Sequence, residues 1–235
     1  MNDWAKWTPK IPVHFEHGST EPLRELSSRW REHHQTYPKE IEVIQVPVLY
    51  TDIDGTIRWG KDELGRFVNT KDDVRVFDGV PDLLWAYKNL GWRIIGVSNQ
   101  GGVALGHMTM ADCFGAMGET QRQCRGAFDK IVFCAHSPFH ECPCRKPKIG
   151  MIVDSRQWLF QQYGDSYPME LAVFVGDRPE DETCAANASL RFINAIHWRR
   201  GAHLDEVLSE RNRKLGFTRN EHEEVLDEQG GVGDS

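Results

Sequence analysis

Asp52 and Asp54 stand two residues apart at the end of an apolar run, in V-P-V-L-Y-T-D-I-D-G-T. Asp-Gly-Thr is a common turn sequence, so the pair could serve only to reverse the chain. The same spacing also suits chemistry at phosphorus. One carboxylate can attack phosphorus and form an acyl phosphate. The other can protonate the departing oxygen and then take a proton from water. Gly55 permits the tight turn that lets both groups face one substrate. Carboxylate and phosphate repel, so such a site needs a hard cation. Mg²⁺ takes few carboxylates and completes its shell with water and phosphate oxygens. Asp177, in V-G-D-R-P-E-D, can supply a second carboxylate, and Asp181 is either an outer ligand or a helix cap.

A phosphoryl group in transfer also needs fixed donors. Ser98 and Asn99 offer a hydroxyl and an amide, and Lys146 in C-R-K-P-K offers a point charge. Arg145 beside it can fork onto a phosphate or carboxylate. The segment G-T-I-R-W-G-K, residues 55–61, has the spacing of a nucleotide-binding P-loop. That reading fails because Asp62 follows the lysine where Ser or Thr must hold Mg²⁺, and no apolar helical period begins there. Residues 57–75 read instead as a flap, with Trp59 and Phe67 excluding water from the site.

The six cysteines are unevenly placed. Cys134, Cys142 and Cys144 crowd around His136 in C-x-H-x5-C-x-C, whereas Cys113, Cys124 and Cys184 lie in helix-like stretches as small core residues. Four soft or borderline ligands so close together fit a closed tetrahedral Zn²⁺ site, with His140 as a competing nitrogen. With all four positions filled by protein there is no place for a catalytic water. The zinc is therefore structural, and it holds a loop that runs directly into Arg145 and Lys146.

These residues need a scaffold. Residues 46–50, 92–97, 130–133, 171–175 and 191–194 read as strands. Helices fall between them, one capped by Asp78, one capped by Thr109, one over residues 150–163 and a short one near Glu180. Such alternation implies an α/β fold, a Rossmann-like parallel sheet with helices on both faces. Asp52, Ser98 and Asp177 then stand at strand C-termini, the rim where ligands bind in open α/β sheets. The expected organisation is an N-terminal extension (1–45) with a helix near 21–33, a main domain (46–200) carrying the zinc loop (134–147), and a C-terminal helix and tail (201–235). The 235 residues carry a net charge of −7, which disfavours a general nucleic-acid binder. With no apolar stretch of membrane length and no signal-like start, the expected compartment is the cytoplasm.

D-I-D-G-T, V-S-N-Q-G-G, C-R-K-P and V-G-D-R-P-E-D in this order resemble the signatures of the haloacid dehalogenase (HAD) superfamily of phosphatases. The zinc loop and Val103-Ala-Leu-Gly106 resemble its zinc-bearing branch, which holds the D-glycero-D-manno-heptose-1,7-bisphosphate and histidinol-phosphate phosphatases. The resemblance implies a HAD-like fold without a large cap domain. It implies Asp52 as nucleophile, Asp54 as acid/base, Ser98 and Lys146 as phosphate binders, and Mg²⁺ on Asp52, Asp177 and the Asp54 carbonyl. The expected substrate is a small phosphate ester: a sugar phosphate such as a heptose bisphosphate, or histidinol phosphate. A polynucleotide 3′-phosphatase and a non-catalytic zinc-stabilised binding module are the competing readings. Leu105, where an arginine is expected, departs from the heptose pattern.

Overall fold

The first strand explains the rest. The structure, a computed structural model, describes residues 45–60, 68–164 and 167–214. The helix expected near 21–33, Lys61 and Phe67 of the flap, and the terminal Q-G-G-V-G-D-S lie outside these residues. The described residues all belong to the second of the two units into which the chain divides, Ile44–Ser235.

The strands are β1 (Val48–Thr51), β2 (Arg58–Gly60), β3 (Val74–Val76), β4 (Arg93–Asn99), β5 (Lys130–Cys134), β6 (Val173–Gly176) and β7 (Arg191–Asn194). All four residues of β1 are buried. Leu49 enters one core cluster, whereas Val48 and Tyr50 enter the other. The same alternation divides Ile94 from Ile95 and Val97 in β4, and Val173 and Val175 from Phe174 in β6. Strands apolar on both sides require cover on both faces, as in parallel sheets. Among the described residues, five strands form that sheet in the order β5-β4-β1-β6-β7, every pairing parallel. β1 is central, and Thr51 lies level with Gly96 and Val175.

The helices are α1 (Val80–Asn89), α2 (Met110–Gln123), α3 (Gly150–Tyr163), α4 (Pro179–Asn187), α5 (Ala195–Arg199) and α6 (Ala202–Lys214). α1, α2 and α5 pack on the Leu49 face, with Leu204 and Val207 of α6 against the same cluster. α3 and α4 cover the Tyr50 face. Thr109 caps α2 as expected, its side chain accepting from the Asp112 amide at 3.1 Å. The expected cap of α1 is corrected: Gly79, not Asp78, is the N-cap. The chain bends into the helix there at a φ of 76°, which favours glycine, and Pro81 follows inside the first turn. Asp78 remains exposed.

β2 and β3 pair antiparallel, so the expected flap starts as a hairpin. Its base is attached to α2. The Gln123 side chain accepts from the Val76 amide at 3.0 Å and donates to the Val74 carbonyl at 3.1 Å, in the manner of an additional strand. The P-loop reading is excluded by the same segment, since residues 58–60 are strand rather than the start of a helix. Cys113, Cys124 and Cys184 are fully buried, as expected of core residues. No helix among the described residues is long and apolar enough to cross a membrane.

Candidate active site

The sheet order changes direction at β1, because β4 lies on one side and β6 on the other. Ligands of open α/β sheets bind at the C-terminal edge of such a switch point. Asp52 follows β1 there, its amide donating to the Val175 carbonyl at 2.8 Å. Asp177 follows β6, and Asp181 occupies the first turn of α4. One carboxylate oxygen from each of Asp52, Asp177 and Asp181 lies within 4.8 Å of the others. Asp181, left open between outer ligand and cap, acts as a cap, its Oδ2 accepting from the Arg178 amide at 3.1 Å, and its carboxylate also faces the other two.

Two glycines make this convergence possible. Gly55 has a φ of 94°, and a Cβ there would fall on the Asp177 carboxylate. A Cβ at Gly176 would fall on Asp181. Two aspartates thus reach the turn after β1 because side chains are missing where they pass.

Lys146 enters from the cysteine-rich loop after β5 and is 3% exposed. Its ammonium donates to Asp52 Oδ1 and to the Val97 carbonyl at 2.9 Å, and it forms an ion pair with Asp181 Oδ1 at 2.7 Å. Burial would lower its pKa, but Asp52 and Asp181 outweigh burial and hold it above the ordinary lysine value. Burial acts oppositely on Asp52, raising its carboxyl to about 7 against the pull of Lys146, with Asp181 and Asp54 adding to the rise. Asp52 Oδ2 is buried without a hydrogen-bond partner.

These facts test the fit of a hard cation. Three carboxylates face one ammonium. Two like charges 4.8 Å apart repel by roughly 3.5 kcal/mol at an effective dielectric of about 20, less at solvent-exposed Asp177. An all-oxygen set with an orphaned carboxylate oxygen is what Mg²⁺ takes. The residues fit.

The Asp54 carboxylate is held by a different set of partners. Its Oδ1 accepts from Arg58 Nε at 2.8 Å, and its Oδ2 accepts from Ser98 Oγ at 3.2 Å and Gln100 Nε2 at 2.5 Å. Burial works against its charge, but Arg58, Gln100 and Ser98 prevail and hold its pKa below the ordinary carboxylate range. Ser98 therefore reaches Asp54. Asn99 serves Lys146: its Oδ1 accepts from the Lys146 amide at 2.9 Å and its Nδ2 donates to the Lys146 carbonyl at 3.0 Å. Arg145 lies beside Gly101, its Nη1 donating to the His136 carbonyl at 3.4 Å.

Cys134, His136, Cys142 and Cys144 also come together. Cys134 Sγ lies 3.6 Å from Cys142 Sγ, 3.4 Å from Cys144 Sγ and 3.4 Å from His136 Nδ1. Those separations are too long for disulfides and close to the edges of a tetrahedral S₃N zinc site, about 3.5–3.8 Å. The donors fit Zn²⁺. His140 stacks on His136 with ring centroids 5.0 Å apart and stays outside the four.

Sequence reasoning missed four residues that touch this machinery. Arg58 and Gln100 hold Asp54. Thr56 donates to Asp177 Oδ1 at 3.4 Å. Arg199, at the end of α5, donates through one nitrogen to the Gly55 and Thr56 carbonyls at 2.9 and 3.0 Å. Thr56 and Gln100, which lie inside the first and second signatures, carried a local cue; Arg58 and Arg199 depend on contacts across the fold.

Fold and site together define a phosphatase of the HAD type. Residues 47–195 match the family model described as polynucleotide kinase 3 phosphatase. The D-glycero-beta-D-manno-heptose-1,7-bisphosphate 7-phosphatase of Escherichia coli O6:H1 is 33% identical over 156 residues, covering 62% of this chain and 76% of that one. The Helicobacter pylori enzyme of the same name is 28% identical over 147 residues, covering 61% and 79%. The crystal structure of D,D-heptose 1.7-bisphosphate phosphatase from B. bronchiseptica, complexed with magnesium and phosphate, shares the fold with a TM-score of 0.53 at 24% identity, covering 63% of this chain and 79% of that one. The chain belongs to the polynucleotide kinase 3 phosphatase family within the HAD superfamily, on the branch of its heptose bisphosphate phosphatase relatives, and it is a phosphatase.

Proposed function

We propose that the protein is a Mg²⁺-dependent phosphomonoesterase that works through an aspartyl-phosphate on Asp52 and acts on a small sugar phosphate of the heptose bisphosphate type. The convergence of Asp52, Asp177, Asp181 and Lys146 on the end of β1 carries this reading. Asp52 and Asp177, with the Asp54 carbonyl and Asp181 near them, would hold Mg²⁺. When bound, the ion neutralises charge so that a phosphate can approach carboxylates.

An Asp52 oxygen attacks phosphorus and the bond from phosphorus to the sugar oxygen breaks. A substrate phosphate monoanion brings a proton, since its second pKa is about 6. Asp54 passes that proton to the leaving oxygen. Asp54 then takes a proton from water, the water oxygen attacks phosphorus and the bond to Asp52 breaks. Asp54 gives the proton it took from water to the departing phosphate, which leaves as the monoanion, and both carboxylates are restored. Lys146 orients Asp52, and Asn99 orients Lys146. Zn²⁺ on Cys134, His136, Cys142 and Cys144 would fix the loop that carries Lys146 and Arg145.

The heptose phosphatases that match over three quarters of their own length support a sugar phosphate. A second reading, a polynucleotide 3′-phosphate, is favoured by the description of the matching family model. Phosphate release should be measured with Mg²⁺ over heptose 1,7-bisphosphate, histidinol phosphate and a 3′-phosphorylated oligonucleotide. Turnover of the heptose ester above the other two is expected; turnover confined to the oligonucleotide selects the second reading. Asp52→Asn should lower turnover by about 10³-fold or more with the fold intact. Near-normal turnover in that variant would exclude the aspartyl-phosphate.

A further inference from the structure

Arg58 lies in the middle of the segment that imitates a P-loop, and it is 0% exposed. A buried guanidinium persists only where its charge is answered. Its Nε donates to Asp54 at 2.8 Å. Its Nη1 donates to the Ala116 carbonyl at 2.9 Å and to Thr120 Oγ1 at 2.7 Å, both on α2. Its Nη2 is buried with no partner. An arginine placed for ion pairing alone would lay two parallel N–H groups on both carboxylate oxygens. Here Arg58 takes one oxygen and leaves the other to Ser98 and Gln100. Replacing a buried ion pair by apolar groups is often neutral or stabilising, so stability alone does not account for this arrangement.

The backbone brings the two residues together. The Gly55 amide donates to the Arg58 carbonyl at 2.8 Å, and the Arg58 amide to the Ile53 carbonyl at 3.0 Å. The turn therefore closes on itself with Asp54 and Arg58 side by side. Thr120 Oγ1 in turn donates to the Ala116 carbonyl at 2.8 Å, which aims the hydroxyl's lone pair at Arg58. Asp54 is thus held from the flap strand, from the end of β4 and, through Arg58, from α2.

We infer that Arg58 is a positioning residue: it fixes the Asp54 carboxylate for proton delivery to the leaving oxygen and uses α2, through Thr120 and Ala116, as its rigid reference. The inference rests on the proposed role of Asp54 as proton carrier. A displaced donor matters most where the leaving oxygen is strongly basic, and general acid assistance amounts to about 10²–10⁴-fold.

The test is the dependence of kcat/KM on the leaving group, measured on the full chain with Mg²⁺ from p-nitrophenyl phosphate to phenyl phosphate. The proteins are wild type, Asp54→Asn, Arg58→Met, Arg58→Lys and Thr120→Val. Arg58→Met should lose about 100-fold on phenyl phosphate and under about 10-fold on p-nitrophenyl phosphate. Arg58→Lys should recover part of the phenyl phosphate loss. Thr120→Val, which keeps the guanidinium, should show the same selective loss at several-fold, and it serves if Arg58→Met does not fold. Equal losses on both esters, or none, across the Arg58 and Thr120 variants would overturn the inference while Asp54→Asn still shows the selective loss. An Asp54→Asn protein without selective loss overturns the reading of Asp54 itself.

Discussion

Asp52, the proposed nucleophile, lies among carboxylates of its own sign as well as against Lys146, and this has a consequence in pH. Burial, with Asp181 and Asp54, raises its carboxyl from 3.8 to about 7 despite Lys146. The folded, Mg²⁺-free protein therefore binds that proton more tightly than the unfolded chain does. The resulting stability is fully present below pH 3.8 and is lost as the pH rises through about 7. In Mg²⁺-free buffer the melting temperature should fall between pH 5.5 and about 8. Asp52→Asn should flatten that slope, and added Mg²⁺ should oppose the loss. Scanning calorimetry of both proteins across this range decides it; parallel slopes would mean that Asp52 is not the group responsible. Asp52, Lys146 and Asp177 were legible in the sequence because each stands in a short signature after a strand. Arg58 was hidden by its context, since the glycines and lysine around it imitate another motif. Nothing local distinguishes a buried arginine from a solvated one.

At the scale of elements, the loop that carries the proposed zinc site and the candidate catalytic edge form one mechanical unit. Cys144 stands two residues before Lys146, and Asn99 clasps the Lys146 main chain in both directions. Releasing the thiolate cage would therefore displace the ammonium from Asp52. Cys142→Ser, or removal of zinc by a thiol-selective chelator, should reduce phosphatase activity by about 10–100-fold even at saturating Mg²⁺. Metal content by atomic absorption, set beside turnover, provides the check; full activity in zinc-free protein would separate the loop from the chemistry. The helix over residues 150–163 was legible to the residue, because Gly164 ends it at a φ of 71°. The start of α1 was not: Asp78 is a favourable N-cap type, yet the path of the chain enters the helix one residue later, at Gly79.

In the whole molecule, the site depends on residues far apart in the chain. Arg199 lies beyond the stretch that matches the family model and still holds the Gly55 and Thr56 carbonyls, its guanidinium 4.1 Å from the Phe77 ring centre. Arg199→Gln should loosen the turn between Asp54 and Asp177. We expect a several-fold weaker affinity for Mg²⁺ by calorimetry and a loss of about 1–3 kcal/mol in stability, from hydrogen bonds with a charged donor. Unchanged Mg²⁺ affinity would limit Arg199 to a packing role. The fold class was legible from alternation alone. The strand order was not, because alternation states that neighbours are parallel without saying which strand lies beside which. That order sets a schedule for synthesis. β1 is made early, yet it lies between β4 and the much later β6. At about 5–20 residues per second, roughly 7–30 s separate the ribosome's addition of Asp52 from that of Arg199. Until Asp177 and Asp181 are added, the nascent chain carries the proposed nucleophile without the carboxylates that meet it in the fold, so the growing polypeptide is silent as a catalyst at least until β6 has been made.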